Sequence, residues 1–326
     1  MTRARRFPAL FSLILSFSLL VCQSTADPAQ DMAARMHRGM NILDDDPIFV
    51  RPEAARFQLR HFARLSAAGF DTVRLNLHPF GHMDAAWLAT LDRLVKAGLA
   101  ANLTVILDMH EDQNCARDAD ECERDLGAVW RTLAERYRGA PDRLLFEILN
   151  EPHGAITPEV WNGLFRRMLA IVRARNPARI VVVGPAEMSS MDRLPTLDLP
   201  AADRRIIATV HTYTPVRFTL QGARWVPDAQ QTGIFWGSDA EVQTMVASFD
   251  RVKAWSEATH RPVLLGEFGV YEKAPMEPRL RWIARVARIA EAHGLPWAYW
   301  QMDTDFAVYD FKRDAWIAPI LKALVP

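Results

Sequence analysis

The sequence predicts a single-domain α/β protein with a (β/α)₈ architecture, the TIM barrel. Three observations support this prediction. The chain has 326 residues, 50% of them hydrophobic and 24% charged, which is enough apolar material for a large core. Eight short apolar runs alternate with longer helical stretches, which is typical of βαβ units around a parallel sheet. Polar residues follow most of these runs directly, at the strand ends where such barrels carry their functional groups.

The predicted strands are the short apolar runs, taken in chain order. They are Gly39–Ile42, Thr72–Leu77, Leu103–Met109, Leu144–Leu149, Ile180–Gly184, Ile206–His211, Val263–Glu267 and Trp297–Gln301. Eight strands and their connections fit the roughly 300 residues (326 − 26) that follow the N-terminal segment described below.

The predicted helices lie between these strands. They are Ala54–Ala68, Ala86–Ala97, Leu126–Arg138, Pro158–Arg175, Ala240–Ala258 and Pro278–His293, with a last helix from Trp316 to Leu324. The fifth connection differs, because Met188–Leu199 contains Pro195 and has little room for a full helix. No linker or internal repeat divides the chain, so residues 27–326 are expected to form one domain.

Residues 1–26 have the pattern of a secretory signal peptide. Arginines at positions 3, 5 and 6 precede an apolar run over residues 7–21, and small residues follow at 24–26. We expect cleavage after Ala26 and a secreted or periplasmic protein. The alternative is a lipid anchor at Cys22, which Val21 disfavours because a smaller residue usually precedes a lipidated cysteine.

The charge balance indicates which partners to expect. Cleavage removes three arginines and no acid, so 39 basic and 39 acidic residues become 36 and 39. This mild acidity gives no basic face for nucleic acid. No 18-residue apolar span follows the N-terminus, so no membrane association is expected after cleavage, and we expect a monomer.

The two cysteines outside the N-terminal segment, Cys115 and Cys122, lie in one polar stretch. In an exported chain such a pair is expected to form a disulfide, here one that pins a loop of low apolar content. Zinc binding is the alternative, but the stretch lacks the further ligands that a closed tetrahedral site requires.

Two glutamates each end an apolar, strand-like run. Glu151 follows the run from Arg143 to Asn150, and Glu267 follows the run that begins at Pro262. Glycosidic bond cleavage uses such a pair of carboxyl groups, because one protonates the leaving oxygen while the other attacks or stabilises an oxocarbenium-like carbon.

The other strand tips carry further polar and aromatic groups, and together they resemble glycoside hydrolase family 5. The pattern comprises Arg38-Gly-Met-Asn41, Arg74, His110, Asn150-Glu151-Pro152, His211-Thr-Tyr213, Gly266-Glu267-Phe268 and Trp300. A lone Asn-Glu-Pro would be weak support, whereas these motifs occur in the family's order along essentially the whole mature chain. The resemblance implies a retaining glycosidase on a (β/α)₈ barrel that needs no cofactor and no metal.

The resemblance also implies a role for each matched residue. Glu151 corresponds to the general acid/base and Glu267 to the nucleophile of a double displacement. Arg74 and Tyr213 correspond to partners that keep Glu267 ionised and oriented. The remaining matches would bind substrate. Asn150 corresponds to the group that hydrogen-bonds the sugar 2-hydroxyl, His110 and His211 to cleft histidines, and Trp300 to an aromatic platform under the sugar.

The expected activity is cleavage of internal β-glycosidic bonds of a polysaccharide, with an endo-β-1,4-glucanase as the leading interpretation. β-Mannan, xyloglucan and mixed-linkage β-glucan remain open as substrates. Two other functional classes are alternatives: a metal-dependent barrel hydrolase and a non-catalytic carbohydrate-binding barrel. The first lacks a His-x-His on strand one and any His-Glu-x-x-His, and the two glutamates argue against the second.

Several polar and aromatic residues fall outside the shared pattern and could line distal sugar sites or simply be loop residues. They are His78, His82, Glu111, Asp303, Asp305 and the aromatic residues of the long connection from Thr214 to Asp239.

Overall fold

The computed structural model describes residues 27–326, so the predicted signal segment lies outside the described residues. Eight parallel strands close into a barrel in sequence order, which confirms the predicted fold class. The barrel strands are β1 Arg38–Ile42, β2 Thr72–Leu77, β3 Thr104–Met109, β4 Leu144–Glu147, β5 Val181–Val183, β6 Ile206–Thr212, β7 Val263–Phe268 and β8 Trp297–Tyr299. A small hairpin of β9 Tyr309–Asp310 and β10 Ala315–Trp316 follows.

The described helices surround the barrel or lie in its loops. They are α1 Pro28–Ala33, α2 Arg60–Ala67, α3 Ala85–Ala100, α4 Asp112–Cys115, α5 Ala119–Arg136, α6 Pro158–Arg175, α7 Val216–Thr219, α8 Asp239–Thr259, α9 Met276–Ala292 and α10 Ala318–Leu324. Several begin at side-chain caps. Asp84 accepts a hydrogen bond from the Trp87 amide at the start of α3, and Ser238 forms a capping box with Glu241 at α8.

Side chains along each strand point alternately to the apolar layer between barrel and helices and to the barrel interior. In β2, Val73, Leu75 and Leu77 belong to the apolar layer between barrel and helices. Arg74, between them in sequence, points into the barrel and contacts side chains of β4 and β7. The strand side chains that face inward are therefore positioned to build a site.

The structure confirms the prediction for the fifth connection and differs from it in two others. The fifth connection has only a 3₁₀ turn, Met191–Thr196, as the proline predicted. Helix α2 begins at Arg60 rather than at Ala54, which belongs to a 3₁₀ turn over Pro52–Ala54. Helix α5 begins at Ala119 rather than Leu126, because Asp118 accepts hydrogen bonds from the amides of Asp120 and Glu121.

The Cys115–Cys122 disulfide is present, but its surroundings differ from the prediction. Cys115 ends α4 and Cys122 lies within α5, so the bond joins two helices instead of pinning a loop. The polar stretch was misassigned because its helical caps are acidic residues that also suit a solvated loop.

Helix α1 lies at the barrel's lower end and was not predicted. Ala29, Met32 and Met36 form one cluster with inward residues of five strands, including Ile207 and Leu264. These contacts form the floor of the barrel. Among residues 27–326, no helix has the length and apolar character needed to cross a membrane.

A β-bulge shifts the register between β6 and β7. Val210 pairs with Leu265, but the next residue, His211, pairs with Glu267, which leaves Gly266 as the extra residue. Bulges redirect the side chains that follow them. Here the bulge brings Glu267 level with His211 at the mouth of the barrel.

Candidate active site

A cleft of about 730 Å³ lies at the carboxyl ends of the strands. Both glutamates line it, together with the predicted His110, Asn150, His211, Tyr213 and Trp300. Arg74 is fully buried directly below, where it contacts Glu267 and Asn150. The structure thus brings all eight predicted site residues to one place.

The two carboxyl groups are close neighbours. One oxygen of Glu151, one oxygen of Glu267 and one ring nitrogen of His211 lie within 4.8 Å of one another. Retaining glycosidases place their carboxyl groups about 5–5.5 Å apart, whereas inverting enzymes leave about 6.5–9.5 Å for a water molecule. An oxygen–oxygen distance of at most 4.8 Å is compatible with the shorter of these two spacings.

Glu267 receives two strong donors. Arg74 Nη1 donates to its Oε1 at 2.7 Å, and Tyr213 Oη donates to its Oε2 at 2.9 Å. Burial raises the pKa of Glu267, while its neighbours His211 and Arg74 oppose that rise. Both hydrogen bonds are made to the ionised carboxylate, and they fix its orientation.

Glu151 has a different environment. Its Oε1 lies 2.7 Å from His211 Nδ1, and no arginine contacts it. Burial, and then the nearby Asp112 carboxylate, raises the pKa of Glu151 to about 7. Its backbone φ of +36° is in the left-handed region, which is uncommon for a non-glycine residue.

Arg74 connects three carboxylates that are almost completely buried. Its Nε and Nη2 donate to Glu147 at 2.8 and 2.9 Å, Nη1 contacts Glu267, and Nη2 lies 3.1 Å from Asp108. Glu147 and Asp108 are not among the site residues predicted from the sequence, since both lie inside apolar runs that predict core strands. The signal was available, because a charged residue in a buried strand requires a partner.

His110 bridges the charged cluster and the aromatic platform. Its Nδ1 lies 2.7 Å from Asp108 Oδ2, and its ring stacks on Trp300 with centroids 5.3 Å apart and planes at 18°. Although burial opposes the charged form, Asp108 and Asp44 raise the pKa of His110 to about 10. The Trp300 ring is thereby held at the cleft wall by a charged imidazole.

Asn150 is held by contacts on both ends of its amide. Its Oδ1 accepts a hydrogen bond from Arg74 Nη2 at 2.8 Å, and its Nδ2 donates to Asp112 Oδ1 at 3.1 Å. Since both contacts fix the amide, Asn150 presents a defined edge to the cleft. Asp112, which the sequence analysis did not select, positions Asn150 and also raises the pKa of Glu151.

Comparison with known proteins identifies the family. Residues 58–305 match the family described as Cellulase (glycosyl hydrolase family 5). The chain belongs to this family. The match covers most of the barrel, including every predicted site residue.

The chain is also similar to named proteins and to solved structures. Endoglucanase H of Acetivibrio thermocellus is 30% identical over 278 residues, which are 81% of this chain but only 30% of that protein. Thermotoga maritima Cel5A, solved with cellobiose, is 30% identical with a TM-score of 0.87, covering 91% of this chain and 100% of that one. The cellulose synthase subunit Z of Clostridioides difficile is 28% identical with a TM-score of 0.84, covering 89% and 100%.

The residues outside the shared family 5 pattern divide into two groups. Trp225 and Asp305 line the cleft, as do Asp44 and Phe306, which the sequence analysis did not select. The remaining candidates do not line it: His78, His82, Glu111, Asp303, Phe218, Phe235 and Trp236. His78 acts indirectly, because its Nε2 lies 3.2 Å from Asp44.

The close arrangement of Glu151, His211 and Glu267 could in geometry also hold a metal ion. The donors around it do not suit a cation. Arg74 lies 2.7 Å from Glu267, and a second positive charge beside the guanidinium would be repelled. The arrangement therefore fits proton transfer and nucleophilic attack better than metal binding.

Proposed function

We propose that this family 5 protein is a retaining glycosidase that cleaves internal β-1,4 bonds of a glucan. The single observation that supports the mechanism best is the asymmetry of two adjacent carboxyl groups. Glu267 accepts hydrogen bonds from Arg74 and Tyr213, whereas Glu151 has no cationic contact and a pKa near 7. Such a difference separates a nucleophile from a general acid.

In the first step Glu267 attacks the anomeric carbon and Glu151 transfers its proton to the leaving oxygen. The glycosidic bond breaks, and an ester joins the sugar to Glu267. In the second step the Glu151 carboxylate removes a proton from water, which attacks the same carbon and releases the sugar with its original configuration. The reaction consumes one water molecule and needs no cofactor.

The other cleft residues would bind the substrate. Trp300 offers an apolar ring face to the C–H groups of a sugar. Asn150 is placed to hydrogen-bond the 2-hydroxyl group, a contact that strengthens in the transition state. Asp44 and Asp305 supply further hydrogen-bond acceptors along the cleft.

A β-1,4-glucan is the first candidate substrate because the similar proteins carry endoglucanase names, including a hyperthermophilic endo-beta-1,4-glucanase that is 31% identical with a TM-score of 0.86. β-Mannan is the second candidate. Thermotoga maritima Cel5A has also been solved with mannotriose, at 30% identity to this chain.

A substrate panel tests this proposal. Purified protein would be incubated with soluble cellulose derivatives, β-mannan, xyloglucan and mixed-linkage β-glucan, with release of reducing ends and product length as readouts. We expect the highest kcat/KM on β-1,4-glucan and early products of mixed length. Activity on mannan alone would reassign the substrate, and no activity on any polymer would refute the glycosidase proposal.

We further propose that residues 1–26 direct export and that residues 27–326 form the secreted or periplasmic enzyme. The N-terminal arginines and apolar run support this, as does a disulfide, which persists in oxidising compartments.

A further inference from the structure

Two buried polar atoms below Glu151 and Glu267 have no hydrogen-bond partner among residues 27–326. They are Thr209 Oγ1 and His211 Nε2, which belong to inward-facing side chains two residues apart on β6. Thr209 is fully buried and His211 is 4% exposed. A buried polar atom without a partner is costly, so two of them on neighbouring side chains call for a common explanation.

Both atoms face the same point on β7. A β-carbon placed on Gly266 would lie 2.4 Å from Thr209 Oγ1 and 2.9 Å from His211 Nε2, so the two atoms are at most 5.3 Å apart (2.4 + 2.9). A small side-chain rotation or one bridging water spans that distance. The Thr209 methyl group faces the opposite side, 3.3 Å from a β-carbon placed on Gly184, which fixes the direction of the hydroxyl.

The other ring nitrogen of His211 contacts the general acid of the proposed mechanism. Nδ1 lies 2.7 Å from Glu151 Oε1. Burial lowers the pKa of His211, against the opposing charge of Glu267, so the ring is neutral and carries one N–H. A neutral imidazole is a donor at one nitrogen and an acceptor at the other, and the partner of one nitrogen determines the state of the other.

The two tautomers have opposite consequences for Glu151. With hydrogen on Nδ1, the ring donates to Oε1, and the acidic proton of Glu151 resides on Oε2, free to reach the leaving oxygen. With hydrogen on Nε2, Nδ1 is an acceptor and takes the hydrogen bond of the Glu151 proton itself. That proton is then directed at the histidine instead of the substrate.

We propose that Thr209 is a positioning residue that donates its hydroxyl hydrogen to His211 Nε2 and thereby holds the Nδ1–H tautomer. The proposal rests on the proposed role of Glu151 as general acid. It also accounts for glycine at position 266, because any β-carbon there would separate the hydroxyl from the ring.

Other charged groups face His211 from the neighbouring strands and must be considered in any pH measurement. They are Glu151 and Glu147 from the β4 segment, Glu267 from β7, Arg74 from β2 and Asp108 from β3. None of them makes a hydrogen bond to Nε2, and Glu151 and Glu267 approach the ring at Nδ1.

The test compares Thr209→Val, which keeps the shape and removes the hydroxyl, with Thr209→Ser, which keeps the hydroxyl. General acid catalysis contributes roughly 10²- to 10⁴-fold, so we expect Thr209→Val to lower kcat/KM on cello-oligosaccharides by about tenfold or more. A dinitrophenyl glycoside needs no protonation of its leaving group, so its rate of glycosyl-enzyme formation should not change. Thr209→Ser should restore oligosaccharide activity.

A loss of equal size on both substrates would indicate general structural damage and overturn the proposal, as would unchanged activity of Thr209→Val on oligosaccharides. A spectroscopic measurement gives an independent readout. In protein with its nine histidines ¹⁵N-labelled, and with His211→Asn to assign the signal, His211 should show a protonated Nδ1 in the wild type. A protonated Nε2 would contradict the proposal even if the enzyme hydrolysed glucan, whereas inactivity on every polymer would refute only the proposed function.

Discussion

Two carboxyl groups of the same chemical type differ here because of their hydrogen-bond donors. Glu267 lies against Arg74 and Tyr213, and Glu151 against His211 and near Asp112. Substituting either glutamate should therefore stop catalysis at a different step.

Azide should distinguish the two glutamates. Glu267→Ala should lose activity on every substrate by several orders of magnitude, because no nucleophile remains. Glu151→Ala should still form the glycosyl-enzyme from an activated aryl glycoside, and azide, which needs no base, should release it as a β-glycosyl azide. Any azide product of Glu267→Ala should be the α anomer. NMR of the products measures this, and the opposite pairing would reverse the two roles.

The pH dependence of kcat/KM should reflect the ionisation of Glu151. With its pKa raised to about 7, the group loses its proton as the pH rises through 7, so kcat/KM should fall on that side. Asp112→Asn removes a negative charge that favours the protonated form, and it should move this basic limb to lower pH. Asp120→Asn on the exposed face of α5 serves as the control. A limb that stays in place in Asp112→Asn would contradict this account.

The same pKa predicts an effect on stability. A carboxyl group with a folded-state pKa near 7 and an ordinary value of 4.5 stabilises the fold fully below pH 4.5, and this stabilisation is lost as the pH rises through 7. Glu151→Gln does not titrate, so its advantage in unfolding free energy should grow over this range to about 3 kcal/mol. Urea unfolding of the variant and the wild type at pH 4 and pH 8 measures this difference in stability. A stability advantage of Glu151→Gln that is equal at both pH values would contradict the prediction.

At the residue scale, a functional side chain could be predicted from the sequence where it directly follows or ends a predicted strand. Glu151, His211 and Trp300 could be found because each ends an apolar run. Glu147 carried a weaker signal, as a charged residue inside a predicted buried strand, and Asp112 carried none, since its importance depends on which side chains the closed barrel brings near it.

At the scale of elements, α4 and α5 connect the disulfide to the site. The Ala155 amide, four residues after Glu151, donates to Ala116 O at 2.9 Å. A β-carbon at Gly154 would lie 2.6 Å from the same oxygen, so the two loops pack closely. The disulfide at Cys115 therefore supports the segment that carries Asp112 and the loop after Glu151.

Removing this disulfide should cost stability. Cys115→Ser with Cys122→Ser should lower the free energy of unfolding by about 2 kcal/mol, because the closed loop is short. Thermal unfolding measures the loss, with the reduced wild type as a control that should match the double variant. Two alkylatable thiols in unfolded, unreduced wild-type protein would contradict the disulfide.

Strand positions were predictable because each apolar run is short and bounded by polar residues. The start of α5 and the bulge at Gly266 were not. A helix that begins with acidic residues looks like a solvated loop, and a bulge depends on the pairing of two strands that are distant in sequence.

At the scale of the whole molecule, the barrel has an apolar floor and a polar mouth. Met32 of α1 is 1% exposed and packs in the floor cluster. The sequence did not reveal this helix, since six residues near the predicted cleavage site carry little periodic signal.

Removing an apolar side chain from the floor cluster should lower the stability of the fold without altering the cleft. Met32→Ala should lower the free energy of unfolding by about 3 kcal/mol, the usual cost of a buried methionine truncated to alanine, and leave KM unchanged. Met276→Ala, at a methionine that is 47% exposed, is the matched control and should change stability by less than about 0.5 kcal/mol. Equal effects of the two substitutions in chemical denaturation would contradict the role of α1.

The cluster around Arg74 also has a consequence for the covalent intermediate of the proposed mechanism. Three carboxylates, Asp108, Glu147 and Glu267, face one guanidinium and the imidazolium of His110, so this group carries one excess negative charge. When Glu267 becomes an ester, its charge disappears and the group becomes neutral. In the glycosyl-enzyme of the proposed mechanism Arg74 loses its contact with a charged Glu267 but keeps Asp108 and Glu147 as counterions, so capture of the sugar does not leave an uncompensated buried guanidinium.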